Sequence, residues 1–235
     1  MGLVSGVRKG LREVRVTAFL YTYKLLKRGR KLAFQGREYD YFYNRYNLTF
    51  SNERVVEIPI AWNVVRAYDA SHVLEVGNVL SHYYPVKHDV LDKYETAAGV
   101  VNEDVVDFQP SKRYDLIVAV STLEHVGWDE EPREPAKFLR AVEHLTELLA
   151  PGGKLFVTLP IDYNAAVDEY LKDGKIPFTT VGYVKRISDD NRWRECGWDE
   201  VAGMRYQKAH RNRWGVVISA TATGLVVGSI EKPVS

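Results

Sequence analysis

With a single cysteine, Cys196, among 235 residues, the chain cannot form an internal disulfide. It also has no Cys/His cluster at zinc-ligand spacing, so a reducing compartment and no metal are expected. Long apolar runs are missing too. Nothing approaches the roughly 18 consecutive apolar residues of a membrane span, and the longest apolar patch near the start gives way to Lys24, Lys27 and Arg28. That patch, Val16 to Tyr23, leads into cations where a signal peptide would need a small-residue cleavage site. A cytoplasmic protein is expected. No internal repeat or low-complexity tract is present, and no Gly-x-Gly-x-x-Gly follows a strand, which argues against a nicotinamide-dependent dehydrogenase.

What is there is 46% hydrophobic residues, enough for one sizeable core, and a strongly uneven charge. Residues 1–37 hold ten Lys or Arg against the single acid Glu13, or +9, while the other 198 residues hold 22 Lys or Arg against 30 acids, or −8. The N-terminal stretch is therefore a distinct unit. Wound at about 100° per residue, residues 3–32 place Leu3, Val7, Leu11, Val14, Ala18, Tyr21, Leu25 and Leu32 on one stripe. Arg8, Lys9, Arg12, Arg15, Lys24 and Lys27 fall elsewhere. Such a basic amphipathic helix suits an anionic membrane or glycolipid surface, or docking onto its own domain or a second subunit. An acidic core with the basic charge confined to one helix disfavours nucleic acid, which needs a broad positive face.

Aromatics crowd residues 34–50, where Tyr43 and Tyr46 stand among Asn44, Arg45 and Asn47. The cluster reads either as a substrate-facing lid or as buried surface between an appendage and a core. Ser51 or Asn52 caps an expected helix over residues 53–67, with Val56, Ile60 and Val64 on its inner stripe and Pro59 as a kink or late start. Residues 1–50 are expected as an extension and residues 51–235 as one domain.

From residue 72 the rhythm changes to short β-rich runs between polar helical stretches, the pattern of βαβ units around a parallel sheet. Strands are expected near 72–76, 86–91, 100–103, 114–120, 154–159, 199–206 and 214–222, and a helix over 135–149 ended by Pro151-Gly152-Gly153. The run His72-Val73-Leu74-Glu75-Val76-Gly77-Asn78 is a buried strand followed by a glycine turn, where an open α/β sheet binds a nucleotide-like ligand.

Five segments in order resemble the class I S-adenosylmethionine-dependent methyltransferases across roughly residues 70–225. Leu74-Glu75-Val76-Gly77 is similar to the first motif, Val90-Leu91-Asp92 to the second strand, and Asp104-Val105-Val106-Asp107-Phe108 to the third. Tyr114 to Val126 resembles the fourth strand with its loop, and Leu149 to Leu155 the turn before the fifth. The resemblance implies a Rossmann-like α/β fold: a mostly parallel seven-stranded sheet with an antiparallel C-terminal strand. It implies S-adenosylmethionine as cofactor, with S-adenosylhomocysteine as product. Glu75, Gly77, Asn78, Asp92, Lys93, Asp104, Val105 and Ser121 are the expected cofactor contacts, Asp92 at the ribose and Asp104 with the Val105 N–H at the adenine. Asp92 also suits a helix cap. One departure stands out: Val79 and Ser81 replace glycines with which the family continues its first motif.

Methyl transfer from a sulfonium to a hydroxyl needs in-line placement and a general base. His125 is the leading candidate, followed by Glu124 and Asp162, all in loops after expected strands. His125 also suits local packing. Tyr163 and Asn164 follow the fifth strand as substrate contacts. Residues 162–196 exceed a usual connection and read as a substrate-selecting insertion, where Arg186 suits a phosphate or carboxylate on the acceptor, or a solvated basic face. The expected activity is O-methylation of a small molecule, saccharide or glycolipid. A catalytically silent scaffold that binds a partner or membrane through the N-terminal helix is the alternative.

Overall fold

The structure, a computed structural model, describes residues 17–18, 20–208, 210–211, 217–218 and 220–234. Half of the expected amphipathic helix over residues 3–32 lies outside them; residues 20–26 are helical, and the chain turns to strand before residue 32. Lys31–Phe34 (β1) and Arg37–Asp40 (β2) form an antiparallel hairpin, so backbone pairing ends the helix earlier than its apolar stripe suggests.

The main sheet has eight strands in the order β5-β4-β3-β6-β7-β12-β8-β9. Its parallel half comprises Val73–Val76 (β3), Asp89–Leu91 (β4), Val100–Val101 (β5), Tyr114–Val120 (β6) and Leu149–Pro160 (β7). Thr180–Arg186 (β8) and Trp193–Cys196 (β9) lie at the other edge, and His210–Arg211 (β10) with Val217–Ile218 (β11) form a separate small ladder. Gly224–Glu231 (β12) runs antiparallel to both β7 and β8. This is a Rossmann-like α/β sheet with an antiparallel C-terminal strand and one strand more than expected.

Side chains of β6 alternate between two cores. Ile117 and Ala119 join the cluster under Lys137–Glu147 (α2) and Ala165–Lys172 (α3), while Leu116, Val118 and Val120 join the cluster under Arg54–Val65 (α1) and the hairpin. Pro59 sits inside α1. Lacking an N–H, it leaves the Val55 carbonyl without its helical donor, and Phe42 N–H donates to that oxygen at 2.9 Å. The aromatic segment is thus stitched to the helix by the bond that proline released.

Three expectations are corrected. The strand expected at 199–206 is replaced by a single helical turn, Trp198–Val201 (α4), whose first turn carries Asp199 and Glu200 at the favourable positive end. Of the strand expected at 214–222, Val217–Ile218 is extended and residues 214–216 and 219 lie outside the described residues, while the strand that joins the main sheet starts only at Gly224. Strand β12 is buried on both faces up to its last residue, so no alternation marks its bounds. Residues 162–196 are not a separate insertion, because they supply α3, β8 and β9, and β8 pairs directly with β12. Gly182 on β8 lets the hairpin pack on bare backbone, since a Cβ there would stand 2.7 Å from Phe34 Cζ. Among the described residues no helix is long and apolar enough to cross a membrane.

Candidate active site

At the carboxyl end of β3 the chain turns at Gly77, whose φ of 83° disfavours any residue with a Cβ. A Cβ would also lie 2.3 Å from Thr122 Oγ1, so the turn presses against the loop after β6. Glu75 holds this turn from behind. It is fully buried, its Oε1 accepts from Val79 N–H at 2.9 Å and Leu80 N–H at 2.6 Å, and its Oε2 lies 2.8 Å from His88 Nε2. Glu75, expected as a cofactor contact, therefore supports the Gly77 turn from behind instead of lining the cavity, a correction that follows from its burial. Val79 has φ −102° and begins a short 3-10 turn, Leu80–His82, so its backbone has no need of the glycine usual there.

A cavity of about 460 Å³ opens at the carboxyl edge of β3, β4 and β6, within the roughly 300–1,000 Å³ of small-ligand sites. Gly77, Asn78, Asp92, Lys93, Asp104, Val105 and Ser121 line it. Asp92 caps the following turn as well, since its Oδ1 accepts from Tyr94 N–H at 2.9 Å and Glu95 N–H at 2.8 Å, and its Oδ2 from Asn78 N–H at 3.0 Å. Oδ1 is thereby filled, and Oδ2 keeps a further lone pair for a ligand. Glu95, which sequence reasoning missed, also lines the cavity, accepting from Asn78 Nδ2 at 2.9 Å. Its only signal was its place three residues after Asp92.

Lys93 and Lys137 hold Asp104 at 2.8 and 2.5 Å, and both also reach Glu130, at 3.2 and 2.7 Å. Burial raises the Asp104 carboxyl, but the two ammonium groups outweigh it and bring it down to about 2. Lys93 is thus tied into an ion-pair network on the cavity wall.

His125 ends the 3-10 turn Leu123–His125 and lines the same cavity. Its Nδ1 lies 2.6 Å from Asp129 Oδ2, and Tyr163 Oη lies 2.8 Å from that nitrogen and donates to Asp129 Oδ2 at 2.5 Å. With Nδ1–H donated to the carboxylate, Nε2 carries the lone pair. Burial raises the Asp129 carboxyl, yet hydrogen bonds from His125 and Tyr163 lower it on balance, so it stays an acceptor. Burial and then Asp129 push the Tyr163 hydroxyl up, so it stays a donor. Asp129 was not anticipated; its position four residues after His125 places it beside the ring only because the intervening loop folds back.

Glu124 is 1% exposed, with Oε2 unbonded and Oε1 3.7 Å from His125 Nε2. Burial drives its carboxyl well above the usual range. Behind Ser121 lies a further acid: Ser121 Oγ donates to fully buried Glu57, and Thr158 Oγ1 donates to Glu57 Oε1 at 2.7 Å. Arg54, also on the cavity wall, stands 3.4 Å from Glu57 Oε2. Neither residue of α1 was singled out from the sequence.

The remaining candidates separate. Tyr46 lines the cavity, its ring stacked 4.3 Å from that of His82. Tyr43 packs instead against Tyr23 and Tyr41, outside the wall. Asp162 is bound by Arg205 Nη1 at 3.1 Å and Tyr206 N–H at 3.0 Å, which withdraws it from base chemistry. Asn164 is buried as the N-cap of α3, its Oδ1 accepting from Ala166 and Val167 N–H and its Nδ2 donating to the Glu124 carbonyl at 2.8 Å. Arg186 lies away from the cavity and donates to the Ser188 and Asp189 carbonyls, each at 3.0 Å.

No family model and no curated protein matches this chain. Among solved structures, the N-methyltransferase NodS from Bradyrhizobium japonicum is similar at 12% identity over 77% of this chain and 96% of that one, with a TM-score of 0.40. A SAM-dependent methyltransferase from Thermotoga maritima is similar at 15% identity over 75% and 90%, with a TM-score of 0.42. The 1,6-didemethyltoxoflavin-N1-methyltransferase of Burkholderia thailandensis, with S-adenosylhomocysteine bound, is similar at 12% identity over 76% and 79%, with a TM-score of 0.39.

Proposed function

We propose that this chain is an S-adenosylmethionine-dependent methyltransferase that O-methylates a small-molecule or saccharide acceptor. The observation that carries the reading is one cavity lined both by the Gly77 turn with Asp92 and by His125 backed by Asp129 and Tyr163. The residues fit the cofactor. Gly77 leaves no side chain between the turn and Thr122, and Asp92 Oδ2 keeps a lone pair for a ribose hydroxyl. Gly77, Asn78, Asp92, Lys93, Asp104, Val105 and Ser121 would hold it, with Glu75 acting through the turn. When bound, it supplies an electrophilic methyl on a sulfonium.

Tyr46 and Tyr163 offer aromatic faces to orient an acceptor. His125 Nε2 takes the hydroxyl proton, and Asp129, in contact with Nδ1, stabilises the imidazolium that results. Orientation supplies most of the acceleration and the base about 10²–10⁴-fold. In this reading residues 51–235 are the catalytic unit and residues 1–50 an extension. Tyr21, Leu25 and Leu26 are 70%, 74% and 72% exposed, which favours contact of that extension with an anionic membrane or glycolipid surface.

Calorimetric titration with S-adenosylhomocysteine tests the proposal. Binding in the micromolar range is expected, and Asp92→Ala should weaken it by about 1 to 3 kcal/mol. No heat at high micromolar ligand would leave the catalytically silent scaffold as the better description.

A further inference from the structure

Asp162 is bound through both its backbone and its side chain. The chain leaving β7 enters it with a φ of 65°, a left-handed conformation that Asp tolerates better than most residues. Its N–H donates to the two oxygens of Asp168, on α3, at 3.3 and 3.1 Å. Its own carboxylate reaches across to another segment, where Oδ1 accepts from Arg205 Nη1 at 3.1 Å and Oδ2 from Tyr206 N–H at 3.0 Å.

One edge of residues 205–207 is already paired with the chain leading into β12. Arg205 N–H donates to Thr223 Oγ1 at 3.0 Å, and Gln207 N–H donates to the Thr221 carbonyl at 2.8 Å. Alternate amides of an extended chain point to opposite edges, so the Tyr206 N–H faces the other way, and Asp162 accepts it. Three consecutive residues therefore fasten three parts of the site. Asp162 holds Tyr206, the Tyr163 hydroxyl holds His125 and Asp129, and Asn164 Nδ2 donates to the Glu124 carbonyl. The rings form a chain of contacts: Tyr163 stands edge-on to Tyr206 at 4.9 Å and to His125 at 4.6 Å. Burial, then the charge of Glu53, pushes the Tyr206 hydroxyl up to about 12, so the ring that backs Tyr163 is neutral.

We infer that Asp162 is a positioning residue: by holding Tyr206 against Tyr163 it fixes the angle at which His125 enters the cavity. The role of His125 rests on the methyltransferase reading. Asp162, Arg205 and Tyr206 join the residues on which proton transfer depends, although none of the three lines the cavity. Without Tyr206 against it, Tyr163 loses one of its two ring contacts, and its hydroxyl shares Asp129 and His125 Nδ1 less tightly.

Were Asp162 present only because its φ suits few other side chains, glycine would serve as well. Asp162→Gly adopts that φ freely and has no carboxylate, so it separates the two roles. The readout is the His125 Nδ1–H resonance in nuclear magnetic resonance spectra of the full chain, assigned by its loss in His125→Gln. Asp162→Gly should speed exchange of that proton with water at least about fivefold, the factor carried by one ordinary hydrogen bond, and should erase the cross-relaxation between the Tyr163 and Tyr206 rings. Asp162→Asn, which keeps an oxygen for the Tyr206 N–H, should restore both. Tyr206→Phe should match the unaltered chain, and Tyr206→Ala should match Asp162→Gly. Unchanged exchange in Asp162→Gly or in Tyr206→Ala would overturn the positioning role, and the Tyr206 pair decides alone if Asp162→Gly does not fold. Failure of S-adenosylhomocysteine to bind the unaltered chain would overturn the methyltransferase reading instead.

Discussion

His125 draws its chemical character from two neighbours that are local in sequence, Glu124 and Asp129, and one that is not, Tyr163. Asp129 fixes Nδ1, Tyr163 arrives from beyond β7, and Glu124 sits 3.7 Å from Nε2. His125→Ala should lower kcat by about 10²–10⁴ with S-adenosylhomocysteine affinity unchanged, because the ring touches no residue assigned to the cofactor. Asp129→Asn should lower kcat in the same direction by freeing the wrong tautomer, measured as methyl transfer under saturating cofactor. Asp104 offers a stability test. Its carboxyl lies at about 2 against an ordinary 3.8, so its contribution is fully present above pH 4 and is lost as pH falls toward 2. Urea unfolding across that window should show a loss on the order of 1–2 kcal/mol in the unaltered chain that Asp104→Asn lacks.

Elements here owe their placement to single polar anchors. The helical residues 20–26 are tied down through Asp190: Lys27 Nζ reaches its carboxylate at 2.9 Å, Arg30 Nη2 at 2.5 Å, and Tyr23 Oη and Arg30 Nη1 donate to its carbonyl. Burial raises that carboxyl, but bonds from Ser188, Lys27 and Arg30 hold it well below the usual range. Asp190→Ala should free this segment locally while sparing the sheet, so limited trypsin digestion at Lys24 to Arg30 should quicken about tenfold with little change in the global unfolding midpoint. The same scale explains why strands at one edge were misjudged. In β6 and β7 the βαβ rhythm announces parallel strands, whereas β12 is buried on both faces and carries Gly224 and Gly228. A Cβ on Gly228 would stand 2.3 Å from Phe178 Cε1, so a residue that reads as a strand breaker is a packing surface.

Across the whole molecule, the +9 of residues 1–37 faces −8 elsewhere, and the exposed Tyr21, Leu25 and Leu26 sit within the basic part. Liposome flotation should recover the full chain with vesicles containing anionic lipid and not with neutral ones, and Leu25→Asp with Leu26→Asp should abolish recovery; equal recovery of that variant would remove the membrane proposal. Deleting residues 1–32 is a poorer test, since Leu32 is 1% exposed in the core under α1. The parallel sheet and the ordered positions of Gly77, Asp92, Asp104 and the loop after β6 were legible from residue order, because hydrophobic period and turn residues are local properties. The roles of Glu75, Asp129, Glu57, Arg54 and Asn164 were not. Whether a carboxylate faces a cavity or props a turn depends on partners far along the chain, 101 residues between Glu57 and Thr158 and 163 between Asp190 and Lys27. Only the packed tertiary structure brings those partners together, and burial then sets the charge each one carries.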